Sequence, residues 1–415
     1  MYDNYDLLIV GGGMVGASLA CAVAETGLRI GLVEAHTFDC DSHPGYDARS
    51  LALAYGSRLI FEGLGLWQDM SEATPIRHIH VSDQGRPGFA RIDAKELGVD
   101  ALGYVAEARL IGSALMAKLS TLSGVDFLCP ARLDSIRLNA DAADVTLCYG
   151  DQTSDITAKL LVAADGAQSQ VRRQLGIGAM RWDYDQSAII ANVSPERPHQ
   201  NSAFERFTDD GPMALLPLDH NRCALICTVS SAAAKDLLAL TDDAFIAQLQ
   251  QRFGDRLGRF VKVGERQAFP LYMTKSQEQV RPRVAIIGNA AQTLHPLAGQ
   301  GFNLGLRDVA VLAEILADAK KAGLDIGKPD ILNAYADWRR WDRRRTIVFT
   351  DGLARLFINP LTPLRIARNL GLIVFDLFAP AKRFLARQTM GISGKLPRLT
   401  RGLPLSHQQP YILKE

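Results

Sequence analysis

Apolar residues are laid out along this chain in three patterns. Short, largely apolar runs at 7–10, 29–33, 160–164 and 284–287 have the length and continuity of strands buried on both faces of a parallel sheet. The first leads through glycines into an alanine-rich stretch, 17–26, that reads as a helix with Gly27 as its C-cap. Residues 183–274 behave differently. There, short segments at 187–193, 213–217 and 222–229 alternate apolar and polar positions, as antiparallel strands do, and Asp242–Phe253 carries a helical pattern. The third pattern closes the chain. Leu364, Ile366, Leu370, Ile373, Leu377 and Phe378 recur at helical spacing among Arg365, Arg368, Lys382, Arg383 and Arg387. The fold class this implies is α/β: a Rossmann-like domain built from 1–75, 100–182 and 275–355, an inserted β-sheet domain from 76–99 and 183–274, and a helical tail at 356–415. Within the first domain, Gly150-Asp151 marks a hairpin.

Composition adds little to this picture and removes several alternatives. A 415-residue chain with 22% charged residues and 47% hydrophobic residues buries a large core, and its net charge of +1 offers nothing to a nucleic acid. The six cysteines are scattered without a C-x-x-C pair, so they read as reduced core residues. His78 and His80 share a strand face but lack a third ligand, so no metal is expected. No segment reaches the roughly 18 apolar residues of a membrane span. The N-terminal run is a strand rather than a signal sequence. The expected location is the cytoplasm, with the basic amphipathic tail either lying on the inner face of a membrane, meeting a partner protein or packing on the first domain.

The turns carry the chemistry. Gly11-Gly12-Gly13-Met14-Val15-Gly16 sits between a strand and a helix and fills G-x-G-x-x-G. Gly11 serves the tight turn, Gly13 the pyrophosphate approach and Gly16 the helix–strand packing. Glu34 ends the next strand, where a carboxylate takes both hydroxyls of an adenosine ribose and repels a 2′-phosphate. That fingerprint fits NAD and FAD equally. A second strand-turn-helix signal is Asp165-Gly166-Ala167-Gln168-Ser169-Gln170-Val171-Arg172. A third runs from Gly288-Asn289-Ala290 through His295-Pro296 to Gly299, Gly301, Asn303 and Gly305, and it lets backbone approach a ligand far along the chain from the first loop.

These three motifs, in this order, resemble the FAD-dependent aromatic hydroxylases typified by para-hydroxybenzoate hydroxylase. The resemblance implies that FAD is held by Gly11, Gly13, Gly16 and Glu34 at its ADP end. Asp165 and Gly166 would lie between flavin and nicotinamide, and Asn289, Gly299, Gly301 and Asn303 would reach the ribityl chain and ring. Two shorter matches, Asp47-Ala48-Arg49 and Glu107-Ala108-Arg109, imply that Arg49 and Arg109 also touch FAD. The family usually has aspartate where this chain has Asn289, whose amide oxygen still accepts a hydroxyl hydrogen bond. Segments 288–296, 203–207 and 211–217 are most similar to the ubiquinone-biosynthesis branch acting on 2-polyprenyl-6-methoxyphenol.

That branch implies NADPH or NADH as a transient electron donor, O2 as co-substrate and a flavin C(4a)-hydroperoxide attacking para to a phenolic hydroxyl. Arg49 and Arg172 would be phosphate partners for the donor. The substrate is expected to be a polyprenylated phenol. Water must be excluded from such a site. Phe204, Phe207, Met213, Leu215 and Leu216 are the expected apolar wall, a pattern equally that of a sheet core. His295, preceding Pro296 in the loop expected beside the flavin, is the candidate for proton exchange with the phenol. The alternatives are hydroxylation at another ring position or of a small phenol, and a non-catalytic binder of prenylated partners on the same fold.

Overall fold

The computed structural model describes residues 3–37, 49–294, 299–358 and 362–406. Two large sheets organise them. The first has eight strands and is parallel at its centre, in the order Val280–Arg281, Val284–Ile286, Gln152–Ala163, Asn4–Val10, Ile30–Val33, Val125–Leu128. Asn4–Val10 is parallel to both neighbours, pairing Leu8 with Leu161 on one side and with Gly31 on the other. Its side chains are buried on both faces: Leu7 and Ile9 join a core with the helices Met14–Val23, Ala108–Ser120 and Gln300–Lys321, while Leu8 and Val10 join the opposite core. The Gly150-Asp151 hairpin forms with Tyr149 paired to Gln152 and Gly150 at φ +62°. The first helix ends in a 3-10 turn capped by left-handed Gly27.

The second sheet has nine strands. Its order is Gln292–Thr293, Gln267–Ser276, Ala179–Pro195, Arg222–Ser230, Gly211–Leu218, Ser202–Thr208, His78–Asp83, Phe89–Asp93, with Phe260–Val263 added on Ala179–Pro195. All neighbours are antiparallel except Ser202–Thr208 and His78–Asp83. One face packs on the helices Ser231–Ala239 and Asp242–Phe253, giving a core that includes Met213, Leu215, Leu225 and Phe253. The other face turns towards the first sheet. The third motif connects the two, because its Gln292–Thr293 strand adds to the edge of the second sheet.

The C-terminal helices Pro329–Ile358, Thr362–Leu377 and Ala379–Thr389 complete the fold. Asp83 accepts from Arg368 Nε at 3.0 Å and from Asn369 Nδ2 at 2.8 Å, so the middle helix is locked onto the second sheet. Among the described residues, no helix is long and apolar enough to cross a membrane.

Candidate functional site

The three glycines of the first loop have separable surroundings. A Cβ on Gly11, at φ +105°, would lie 2.5 Å from the Ala164 oxygen, and one on Gly16 would lie 1.9 Å from the Gly11 oxygen. Both positions require glycine to let the strands and helix close up. Gly13 differs: among the described residues, a Cβ there meets nothing within 4 Å. It sits at the N-terminus of Met14–Val23, which has no side-chain cap, and faces a large cavity. The amides of that turn are thus open to an anion. Glu34 closes the end, accepting from the Gly12 amide at 2.8 Å and the His36 amide at 2.9 Å.

The cavity is about 1640 Å³, beyond the roughly 300–1,000 Å³ of a pocket for one drug-sized ligand. Gly11, Gly13, Glu34, Arg49, Asp165, Gly166, Asn289, Gly299 and Gly301 all line it, so three motifs distant in sequence converge. A second uncapped helix N-terminus opens there, that of Gln300–Lys321, with Gly299 before it at φ +59° and a Cβ on Gly299 only 2.8 Å from the Ala52 Cβ. The Asp165 carboxylate caps the short helix Gln170–Gln174, its Oδ2 accepting from the Gln170 amide at 2.7 Å and the Val171 amide at 3.0 Å. Enclosure pushes this carboxyl above its ordinary range, against those amides. Among the described residues, its Oδ1 and the Ser50 hydroxyl are enclosed without a hydrogen-bond partner. Two uncapped helix ends, a carboxylate at the strand end and orphaned oxygens in the wall match a long ligand with a pyrophosphate and several hydroxyls, which is the chemistry of FAD.

Several expected residues are engaged within the protein, and some lie away from the cavity. Asn303 is buried, and its side chain is saturated within the protein: Oδ1 accepts from the Ala54 amide and the Ser57 hydroxyl, each at 2.7 Å, while Nδ2 donates to the Ala52 oxygen at 2.8 Å and the Gly299 oxygen at 2.7 Å. An amide side chain makes no more bonds than these, so Asn303 clamps the Ser50–Ala54 strand to the third motif. Arg109 does not line the cavity; its Nε pairs with Glu107 at 2.5 Å, beside a separate small hollow shared with Asp219 and Arg222. Arg172 is turned inward and donates to the Ala167 oxygen at 2.5 Å, and Arg173 faces the cavity instead. Arg49 lies over the Phe269 ring at 5.2 Å. His295 and Pro296 lie outside the described residues.

The expected substrate wall is corrected at two of its positions, Met213 and Leu215. Met213 and Leu215 point into the core beneath the helices, while Pro212, Ala214 and Leu216 face the cavity. Side chains alternate faces along a strand, but 212–216 is apolar at every position rather than alternating as expected, so its sequence does not reveal which parity is inside. Phe207 lines the cavity; Phe204 touches it but packs mainly edge-on to Phe253 at 5.6 Å in the core behind. The remaining wall comes from the C-terminal helices, through Phe349, Leu353, Leu372, Phe375 and Met390.

Two features carried no warning in the motif pattern. Glu205 projects into the apolar part of the cavity. Burial alone pushes its carboxyl up to about 8. The available signal was an acid at the same parity as Ala203 and Phe207. The other is Asp308, fully buried, which accepts from the Gly288 amide and Gln292 Nε2, each at 3.2 Å, and pairs with Arg339 Nε at 2.8 Å. Burial disfavours charge on Arg339, but Asp308 and Asp342 outweigh it and raise its pKa. This network ties the third motif to the Pro329–Ile358 helix.

Comparison with known proteins agrees with this geometry. The model of a family described as FAD binding domain matches residues 4–349. The chain is 41% identical over 404 residues to ubiquinone hydroxylase UbiL of Rhodospirillum rubrum, spanning 96% of this chain and 93% of that protein. It is 34% identical to the 3-demethoxyubiquinol 3-hydroxylase of Escherichia coli, over 93% of this chain and 98% of that protein. It is 31% identical to the human mitochondrial ubiquinone biosynthesis monooxygenase COQ6, over 91% of each. In fold, it superposes on p-nitrophenol 4-monooxygenase PnpA from Pseudomonas putida DLL-E4 with a TM-score of 0.78 at 18% identity, covering 95% of this chain and all of that one.

Proposed function

The chain belongs to the FAD binding domain family and is a FAD-dependent monooxygenase of the ubiquinone-biosynthesis branch, and we propose that it hydroxylates a polyprenylated phenol. The observation that carries this reading is the continuity of one cavity from the dinucleotide-type loops to an apolar chamber. Bound FAD, recharged by NAD(P)H, supplies the chemistry that activates O2. The chain's own residues do the rest. The uncapped helix ends at Gly13 and Gly299 take negative charge, Glu34 takes ribose hydroxyls, and Asn303 fixes the distance between two loops. Ile190, Ala214, Leu216 and Phe269 exclude water around the ring. Phe207, Phe349, Leu353, Leu372 and Phe375 provide a dry path for an isoprenoid chain.

The ring and tail define the reading further. 2-Polyprenyl-6-methoxyphenol, attacked para to its hydroxyl, is the substrate that the sequence resemblance selects. The Escherichia coli relative, named for a 3-hydroxylation, favours a different ring carbon as the second reading. A peripheral membrane position is part of the proposal, because the Thr362–Leu377 helix is apolar on two sides. Ala367, Leu372 and Phe375 line the cavity, while Ile366, Leu370, Val374 and Leu377 are exposed, with Phe378 and Phe384 beside them. An exposed apolar stripe backed by a prenyl-sized chamber suits substrate entry from lipid. The test is turnover of a panel of prenylated phenols by the FAD-loaded protein with NAD(P)H and O2, read by product mass. One added oxygen on a prenylated phenol supports the reading. Hydroxylation restricted to unprenylated phenols, or none, overturns it.

A further inference from the structure

We propose that Glu205 is a catalytic base of this enzyme, accepting the proton of the substrate's phenolic hydroxyl inside the cavity; the inference rests on the phenol reading above. The cavity face of the second sheet is a grid of cross-strand rows. One row is Phe207, Pro212, Thr228, Ala188 and Phe269. The next is Val81, Glu205, Ala214, Ile226 and Ile190. Among the described residues, Glu205 is the one acid in these rows, and no hydrogen bond or ion pair engages it. The other acids lining the cavity, Glu34 and Asp165, belong to the dinucleotide end and are bonded to backbone amides.

The charged and titratable groups on neighbouring elements are otherwise engaged. Arg368, from the C-terminal helix, is spent on Asp83, which also holds Arg86. Arg206 donates to the Arg252 oxygen at 3.0 Å, and the ring of His80 stacks on Phe89. On the far strand, Tyr272 lies under the Arg181 guanidinium and Arg49 over Phe269. A carboxyl facing an apolar chamber without a partner costs stability, and that cost is explained if an incoming hydroxyl is its partner.

The chemistry closes on itself. The phenolic O–H bond breaks, its proton passes to a Glu205 oxygen, and the electron pair stays on the phenol oxygen. That pair conjugates into the ring and raises electron density at the ortho and para carbons, where the electrophilic oxygen arrives. When aromaticity returns, the new C–O carbon loses its hydrogen as a proton. That proton would be taken up by the oxygen chemistry that bound FAD supplies, and Glu205 returns its own to the ring oxygen. A base titrating near neutrality suits this exchange with a phenol of ordinary pKa about 10. The raised pKa of Glu205 is in accord with that duty.

The experiment compares the FAD-loaded full-length protein with Glu205→Gln and Glu205→Asp across pH. In the parent, hydroxylation should rise with pH through one ionisation near that of Glu205. Glu205→Gln should lose about 100-fold or more at neutral pH. Its rate should climb again as pH approaches the phenol's own ionisation, and a ring-fluorinated phenol, already ionised at neutral pH, should recover most of it. Glu205→Asp should keep the low-pH ionisation at reduced rate and covers the case in which the amide variant fails to fold. An unchanged rate and profile in Glu205→Gln overturns the inference, as does a loss that neither high pH nor the fluorinated phenol relieves. If the parent hydroxylates no phenol, the substrate reading falls first; if it does and Glu205→Gln matches it, only the role of Glu205 falls.

Discussion

Gly13→Ala and Gly16→Ala, two identical changes three residues apart, should fail in opposite ways. At Gly16 the new Cβ would stand 1.9 Å from the Gly11 oxygen, so the Met14–Val23 helix must move off the Asn4–Val10 strand. Overpacking of that kind costs about 1–3 kcal/mol before any ligand is considered. At Gly13 the backbone is at φ −63° and ψ 174°, which alanine adopts freely, and no atom of the described residues lies within 4 Å of the new Cβ. The apo-protein should therefore tolerate it within about 0.5 kcal/mol. The methyl would stand in the cavity where a pyrophosphate approaches the free amides. Losing one hydrogen bond to a charged group costs about 1.5–3 kcal/mol, so FAD affinity should fall by about 10- to 100-fold. The assay is flavin titration followed by fluorescence, together with denaturant unfolding of the apo-forms. A Gly13→Ala protein that binds FAD with parental affinity, or whose apo-form is as destabilised as Gly16→Ala, refutes the assignment of these two roles.

Three further outcomes follow from other parts of the structure. Asp308→Asn removes one of the two carboxylates paired with buried Arg339 and loosens the third motif; it should cost about 1–3 kcal/mol in denaturant unfolding, with flavin content falling in parallel. Leu215→Ala should lower stability by about 2–5 kcal/mol with little effect on substrate KM, whereas Ala214→Phe, one residue away, should leave stability closer to the parent and raise KM. The raised Glu205 pKa has a defined sign: the folded state holds a proton the unfolded chain releases. That contribution is full below the ordinary glutamate range and is lost as pH rises to about 8, so the stability advantage of Glu205→Gln over the parent apo-protein should be larger at pH about 9 than at pH about 5.

Much of the cofactor end was legible because its constraints are local. Gly11, Gly13 and Gly16 announce themselves through backbone geometry, and Glu34 through its place at a strand end. Asn303 was legible as part of the site but not in its task, since three of its four partners, Ala52, Ala54 and Ser57, lie some 250 residues away in sequence. The substrate wall was legible as a strand and misread by parity: the run 212–216 is apolar at nearly every position, so nothing marked Ala214 rather than Leu215 as the cavity side. The tail read as helical and amphipathic, yet its inner face proves to be cavity wall as well. Glu205 is informative in the opposite direction, because an acid between Ala203 and Phe207 has a meaning only once both neighbours are seen to face the same chamber.

The most direct test of the central reading is a single turnover of the FAD-loaded protein with reduced nicotinamide, a polyprenylated phenol and isotopically labelled O2. One labelled oxygen on the ring per nicotinamide oxidised is the predicted result. Product oxygen drawn from water, or nicotinamide oxidation yielding only peroxide whichever prenylated phenol is supplied, would contradict it.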